Sequence, residues 1–170
     1  MKICKLLPVL FLLIGLTACS TSTVYVVRHA EKINETDSSG LTVAGLERSL
    51  ALANRLADEE ISVILTTPYR RTQQTAGPLA QQLNLPIESY PAKPVSAVVE
   101  QLEKAKGKNV LVVGHSNTIL EIVRGLGAKP TKETIAPGDY DNLLIVTIKN
   151  GLFGQSVELK EETYGKPTAP

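Results

Sequence analysis

The sequence predicts an α/β domain with three layers (αβα), a largely parallel central sheet and a C-terminal antiparallel hairpin. Short β-branched runs alternate with segments of helical periodicity up to residue 127, which is typical of a parallel sheet covered by helices. The only two histidines, His29 and His115, each lie two residues after the end of one of these runs. Beyond residue 142, two alternating runs follow each other without a helix between them, which favours a hairpin.

The first residues are predicted to be a targeting segment outside this domain. Lys2 and Lys5 precede the apolar stretch 6–16, which is short for a membrane span. The stretch ends in Leu-Thr-Ala-Cys at residues 16–19, which resembles the bacterial lipobox. We therefore expect a lipoprotein signal peptide at 1–18 and lipidation of Cys19. An ordinary secretory signal cleaved near Ala18 and, less favoured, a membrane helix are the alternatives.

The predicted processing leaves an exported, lipid-anchored protein of the cell envelope. Cys4 is lost with the signal and Cys19 carries lipid, so no disulfide is expected. Residue 20 is serine rather than aspartate, which by resemblance favours the outer membrane if the organism is Gram-negative. The 18 basic and 17 acidic residues nearly balance, which argues against a nucleic-acid partner. The rest is predicted as one domain, 19–160, and a flexible polar tail, 161–170.

Each element has its own local signal. Thr42 is an N-cap residue, and Leu46, Leu50, Ala53 and Ala57 after it have helical spacing. The pair Gly77-Pro78 is expected to kink or divide the second helix. Asn150-Gly151 is expected to form a type I′ hairpin turn. The predicted strands are 23–28, 62–66, 85–90, 110–113, 143–148 and 152–159, and the predicted helices begin near 42, 70, 95 and 119.

The two histidines have matching settings. His29 follows Val24–Val27 and Arg28, and His115 follows Val110–Val113 and a glycine. Each side chain is therefore expected at the carboxyl end of a buried strand, the edge where open α/β sheets bind ligands. A lone histidine there would be interpreted as structural, but two of them, one beside an arginine, indicate a site.

Arginines near the same edge indicate an anionic ligand. The planar fork of arginine donors matches phosphoryl oxygens, and a helix N-terminus also attracts anions. Arg70 and Arg71 begin the second predicted helix, whereas either one alone would be interpreted as a solvated surface residue. Together with Arg28 and the two histidines, they predict a cationic pocket.

Four motifs in order resemble the histidine phosphatase superfamily, also called the phosphoglycerate mutase-like family. The resemblance covers about residues 23–150 and implies a nucleophilic His29 that forms a phosphohistidine. It also implies that Arg28, Arg71 and His115 hold the phosphoryl oxygens, and that neither a metal nor a cofactor is needed. The motifs are Arg-His-Ala-Glu at 28–31, Leu-Thr-x-x-Gly at 41–45, Arg-x-x-Gln-Thr-Ala at 71–76 and Val-Gly-His at 113–115.

The chain also departs from the family pattern. Ala30 replaces the common glycine, and the stretch 90–95 lacks the glutamate that serves many members as general acid. Another branch has an aspartate after the second histidine, where this chain has Ser116. Glu31 is the nearest candidate acid, although a partner of Lys32 or of an arginine is the favoured interpretation. Asp139 and Asp141 are weaker candidates.

The leading hypothesis is a metal-independent phosphomonoester hydrolase acting on a phosphorylated small molecule or phosphoprotein. A phosphohistidine or phosphoramidate phosphatase using the same site is the first alternative. A non-catalytic lipoprotein that binds a phosphorylated ligand is the second. A mutase is least favoured for an exported protein. The loops 32–40, 90–95 and 128–141 contain no motif that identifies the substrate.

Overall fold

The fold is described by a computed structural model over residues 20–152 and 154–168. The predicted signal peptide and Cys19 lie outside the described residues. The strands are β1 Ser20–Arg28, β2 Ile61–Thr66, β3 Ile87–Ser89, β4 Asn109–Gly114, β5 Asn142–Gly151 and β6 Gly154–Thr163. The helices are α1 Val43–Leu56, α2 Arg70–Leu83, α3 Ser96–Lys104 and α4 Ile119–Gly125. None of the helices in this part of the chain is long and apolar enough to cross a membrane.

The six strands form one mixed sheet in the order β3-β2-β4-β1-β5-β6. The first four in this order are parallel, and β5 and β6 add an antiparallel hairpin at the edge. Alternate residues of β1 face opposite sides, so Tyr25 and Val27 pack with α1 and α2, whereas Val24 and Val26 pack with α3 and α4. The predicted three-layer αβα architecture is therefore confirmed.

The hairpin closes further along the chain than predicted. Asn150 pairs with Gln155 and Gly151 pairs with Gly154, so the predicted turn residues belong to β5. This register places Val146 opposite Leu159 and Ile148 opposite Val157. A turn at Asn150-Gly151 would instead place Val146 opposite Gln155. Apolar pairing across the strands therefore determines the register in place of the turn signal.

Helix α1 forms as predicted, but only Ala53 of the four spaced apolar residues is buried. Thr42 caps it, because its Oγ1 accepts a hydrogen bond from the Gly45 N–H at 3.1 Å. Leu46 and Leu50 remain 47% and 57% exposed, while Leu52 and Leu56 are fully buried. The apolar spacing indicated a helix, but packing against the sheet determined its rotation.

Two further differences concern α2 and the C-terminus. Helix α2 continues through Pro78 as one element from Arg70 to Leu83. The segment predicted as a tail begins inside β6, which ends at Thr163, and the next residue, Tyr164, is only 4% exposed. The N–H of Thr168 also donates to Asp141 at 2.9 Å. The packed domain thus extends beyond the predicted boundary at residue 160.

Candidate active site

Adjacent parallel strands bring the two histidines together. Arg28 of β1 is in register with Gly114 of β4, and the His29 N–H donates to the Gly114 carbonyl at 2.9 Å. The imidazole centroids of His29 and His115 are 5.4 Å apart, edge to face. Helix α1 leaves β1 on one side of the sheet and α4 leaves β4 on the other. Such a switch point opens a crevice at the carboxyl ends of the strands.

The environment of His29 fixes its tautomer and its charge. Its Nδ1 lies 2.8 Å from the Ala30 carbonyl oxygen, which can only accept, so Nδ1 carries the hydrogen. The Nε2 atom therefore carries the lone pair. Burial is the main cause that lowers the pKa of His29 to about 3; the charges of Arg28, His115 and Arg71 contribute to the lowering, and the bond to Ala30 opposes it. The imidazole is neutral near pH 7, as a nucleophile must be.

His115 is held by a residue that the sequence analysis did not identify. Its Nε2 lies 2.9 Å from the hydroxyl of Thr67, which is completely buried just after β2. The pKa of His115 is lowered to about 4. Burial is the largest cause, and the charges of Arg71 and Arg28 also lower it. The only sequence signal for Thr67 was its place after a strand that joins the same sheet edge.

The hydroxyl network around Thr67 favours one tautomer of His115. Thr72 Oγ1 lies 2.9 Å from the Thr67 carbonyl and 2.8 Å from the Tyr69 carbonyl, so the Thr72 proton is used there. Thr67 Oγ1 and Thr72 Oγ1 are 3.0 Å apart, which requires Thr67 to donate in that contact. Thr67 then accepts from His115 Nε2–H, and Nδ1 is the unprotonated nitrogen of neutral His115.

Arg28 is fixed along one edge of its guanidinium and open along another. Its Nη1 donates to the carbonyls of Ala136, Pro137 and Asp139 at 3.0, 3.0 and 3.1 Å. The guanidinium stacks over the Tyr140 ring, 4.0 Å from its centroid. Arg28 Nε is buried without a hydrogen-bond partner in the described part of the chain. The edge formed by Nε and Nη2 is thus available for a bidentate anion.

Arg71 has the same arrangement. Its Nη1 makes only long contacts, 3.4 Å each, to the carbonyls of Thr36 and Asp37. Its guanidinium lies 4.4 Å from the centroid of the Tyr69 ring. Arg71 Nε is likewise buried without a partner among the residues described. Buried unpaired donors are rare in folded proteins and often mark a binding site.

These side chains surround one cavity of about 570 Å³. It contains Arg28, His29, Arg71 and His115, the four residues predicted from the sequence, whereas Arg70 is exposed on α2. Lys32 and Lys93, which the sequence analysis did not assign to the site, also line it. The remaining lining residues are Tyr69, Ala92, Ser116, Asn117 and Thr118.

The predicted candidate acids lie elsewhere. The Glu31 carboxylate is bound by Arg48, whose Nε lies 3.0 Å from both oxygens and whose Nη2 lies 2.9 Å from Oε1. Glu31 lines a separate small cavity with Arg48. Asp139 pairs with Lys132 at 2.8 Å, and Asp141 accepts from the Thr168 N–H. In the described ranges, no three His, Cys, Asp or Glu side chains are grouped to hold a metal ion.

Comparisons with known proteins show a family similarity in part of the chain. Residues 24–92 match the histidine phosphatase superfamily (branch 1). The uncharacterized protein Rv0525 of Mycobacterium tuberculosis is 35% identical over 75 residues, which is 40% of this chain and 37% of that protein. The matched segment therefore spans little more than a third of that relative.

Solved structures share the fold. The protein histidine phosphatase SixA complexed with tungstate has a TM-score of 0.63 and 24% identity, over 83% of this chain and 96% of that chain. The mycobacterial glucosyl-3-phosphoglycerate phosphatase Rv2419c with inorganic phosphate has a TM-score of 0.66 and 12% identity, over 81% of this chain and 95% of that chain. At these identities, the likeness establishes the architecture.

Proposed function

We propose that this chain is a member of the histidine phosphatase superfamily and that it hydrolyses phosphomonoesters through a phosphohistidine at His29 without a metal ion, which the family match over residues 24–92 supports. The observation that carries the proposal is the pair of guanidinium edges left open in one cavity. Arg28 is fixed through Nη1, Arg71 makes weak contacts through Nη1, and each keeps a buried Nε without a partner in the described chain. A phosphoryl group has the charge and the peripheral oxygens to satisfy both.

The chemistry follows from the His29 tautomer. Nε2 attacks phosphorus, a P–N bond forms, and the bond from phosphorus to the ester oxygen breaks. The bond from Nδ1–H to the Ala30 carbonyl stabilises the positive charge that develops on the ring. Arg28 and Arg71 stabilise the equatorial oxygens. Water then attacks phosphorus, the P–N bond breaks, and inorganic phosphate is released as His29 becomes neutral again.

Hydrolysis of p-nitrophenyl phosphate by the full-length protein in detergent tests this proposal. We expect His29→Ala to abolish turnover and EDTA to have no effect. Brief incubation with ³²P-labelled substrate should leave an acid-labile, alkali-stable label on wild type only. Retained activity in His29→Ala, or loss with EDTA that zinc restores, would contradict the mechanism. Tight phosphate binding without turnover would indicate the binding lipoprotein instead.

A phosphohistidine or phosphoramidate phosphatase is the second candidate, favoured by the absence of an acidic residue among those lining the cavity. An alkoxide leaving group needs a proton, and a positioned acid accelerates that step by roughly a hundred- to ten-thousand-fold. A phosphoramidate nitrogen leaves more easily. The discriminating measurement is kcat/KM for phosphohistidine, an aryl phosphate and an alkyl phosphate. A preference for the alkyl phosphate would exclude this candidate.

We also propose that lipid on Cys19 anchors the protein to the cell envelope. Ser20 begins β1, and the candidate site lies at the other end of that strand. Nine residues of strand span about 30 Å, so an anchor at residue 19 would leave the cavity facing away from the membrane. Incorporation of radiolabelled palmitate into wild type but not Cys19→Ser is the expected result. Equal labelling of both would contradict it.

A further inference from the structure

The cavity is larger and more basic than a phosphoryl group requires. Arg28, Arg71 and the histidines occupy part of its wall, and the rest of its volume of about 570 Å³ lies against other residues. Two lysines also line the cavity: Lys32 lies in the loop after β1, and Lys93 lies in the loop after β3. A phosphomonoester carries at most two negative charges, which the two arginines match. Two ammonium groups therefore remain for another part of the ligand.

Neither lysine is firmly neutralised. Lys32 pairs with Glu35 at 2.5 Å, but the Glu35 side chain is 90% exposed, and such surface pairs contribute little. Lys32 lines the same cavity as His115 and Arg71. Its charge adds to burial, Arg71 and Arg28 in lowering the pKa of His115. Lys93 is exposed and has no ion pair among the described residues.

A neighbouring groove shows where a second anion would not bind. This groove, of about 360 Å³, shares Ser116 and Asn117 with the cavity and contains two carboxylates, Glu121 and Glu133. Arg124, also in the groove, is already paired with Glu133 at 3.2 Å. A further negative group on the ligand is repelled from this side and attracted to the side of Lys93.

We propose that the cavity binds a phosphomonoester with a second anionic group, a phosphate or a carboxylate, which is held by Lys93 with support from Lys32. This inference rests on the proposed phosphatase function and specifies its substrate class. Arg28 and Arg71 hold the phosphoryl group that reacts, and Lys93 binds the anion at the other end of the substrate. Lys93 contributes to affinity for doubly anionic ligands and has no part in the reaction at phosphorus.

Calorimetry with phosphonates tests the proposal, because their C–P bond is not hydrolysed. Alkylphosphonates of two to six carbons are compared with α,ω-bisphosphonates and ω-carboxyalkylphosphonates of equal length. At one chain length, we expect the doubly anionic ligand to bind wild type about tenfold more tightly. Lys93→Gln should remove most of that advantage without changing affinity for the alkylphosphonate. Lys129→Gln, at an exposed lysine outside the cavity, is the matched control.

Equal affinity for both ligand types in wild type, or an advantage retained in Lys93→Gln, would overturn the proposal, as would the absence of binding by any phosphonate. If the Lys93-dependent advantage is found but no phosphate ester is hydrolysed, the phosphatase function fails and the anion site stands. If esters are hydrolysed without preference for a second anion, only the anion site fails. In the kinetic comparison, Lys93→Gln should raise KM for the doubly anionic substrate and leave kcat unchanged.

Discussion

At the scale of single residues, two histidines in matching positions have different chemistry because their partners differ. The carbonyl of Ala30 can only accept, so it fixes the hydrogen of His29 on Nδ1. The hydroxyl of Thr67 can donate or accept, and only its contact with Thr72 makes it an acceptor for His115. Nε2 is therefore the unprotonated nitrogen of neutral His29, whereas Nδ1 is the unprotonated nitrogen of neutral His115.

Thr67 should act by positioning His115. Thr67→Val removes the partner of a buried nitrogen, and we expect kcat/KM for an aryl phosphate to fall about tenfold or more. Thr67→Ser keeps the hydroxyl and should restore most of the activity. The acid limb of the pH profile should also shift in Thr67→Val, which loss of packing alone would not cause. Equal activity in the Val and Ser variants would contradict the assignment.

At the scale of elements, the start of α1 packs tightly against the residue that follows the site. A Cβ added to Gly45 would lie 2.3 Å from the Glu31 carbonyl oxygen. On the same helix, Arg48 binds the Glu31 carboxylate and the carbonyls of Tyr164 and Lys166. The glycine of the Leu-Thr-x-x-Gly motif therefore permits a backbone contact that positions the loop beyond His29.

Gly45→Ala should destabilise the protein by about 1–3 kcal/mol, because backbone must move to accommodate the methyl group. Gly77→Ala on α2 is the matched control, since a Cβ there would meet nothing within 4 Å outside its chain neighbours and the backbone of its own helix. The helix propensity gained there is offset by the steric restriction that Pro78 places on a preceding residue with a Cβ, so the stability should change by less than about 1 kcal/mol. Urea denaturation measures the free energy of unfolding of both variants. Equal effects of the two substitutions would show that the contact with Glu31 is unimportant.

Glu31→Gln should affect stability and leave the leaving-group preference unchanged. The substitution breaks a bidentate ion pair with Arg48, whose side chain is 3% exposed, and should cost about 2 kcal/mol of unfolding free energy. The ratio of alkyl to aryl phosphate turnover should stay as in wild type. Glu47→Gln, at an exposed acid in the same small cavity, is the control. A selective loss of alkyl phosphate turnover would make Glu31 the general acid after all.

At the scale of the whole molecule, the sheet order creates the site. Strands β1 and β4 are distant in sequence but adjacent in space, and their following helices pack on opposite faces. Three loops without recognisable motifs border the resulting cavity. They supply Lys32, Lys93 and the carbonyls that fix Arg28. Burying two imidazoles beside two arginines there makes the stability of the fold dependent on pH.

Stability should decrease as the pH falls from about 6.5 to 4.5. The pKa values of His29 and His115 are about 3 and about 4 in the folded protein, and the ordinary value near 6.5 applies after unfolding. In this range the unfolded state binds protons that the folded state excludes, so acid favours unfolding. The expected loss is on the order of 2–3 kcal/mol per histidine over these two pH units.

Urea denaturation at several pH values measures this dependence, and the double variant His29→Gln/His115→Gln should show a much flatter profile. Carboxylates with lowered pKa values, such as Glu59 and Glu162, lose their contribution mainly below this range. NMR titration of the imidazoles in wild type is an independent check. Inflections near pH 6.5 in the folded protein would contradict the burial argument.

The sequence by itself determined the elements and the residues of the candidate site. The β-branched runs identified the strands, the spacing around Arg71 distinguished it from Arg70, and the strand ends identified both histidines. These signals are local, because side-chain periodicity and capping depend on neighbouring residues. They did not determine which residues complete the site.

Only the tertiary structure determined which residues contact those of the candidate site. Thr67 lies 48 residues from His115, and the carbonyls that hold Arg28 lie 108 to 111 residues from it. Local spacing placed Glu31 near His29, but a bond to Arg48 on the next helix holds its carboxylate in a separate small cavity. The hairpin register likewise depended on cross-strand pairs. Each of these outcomes depends on packing between distant segments, for which a single sequence contains no periodic signal.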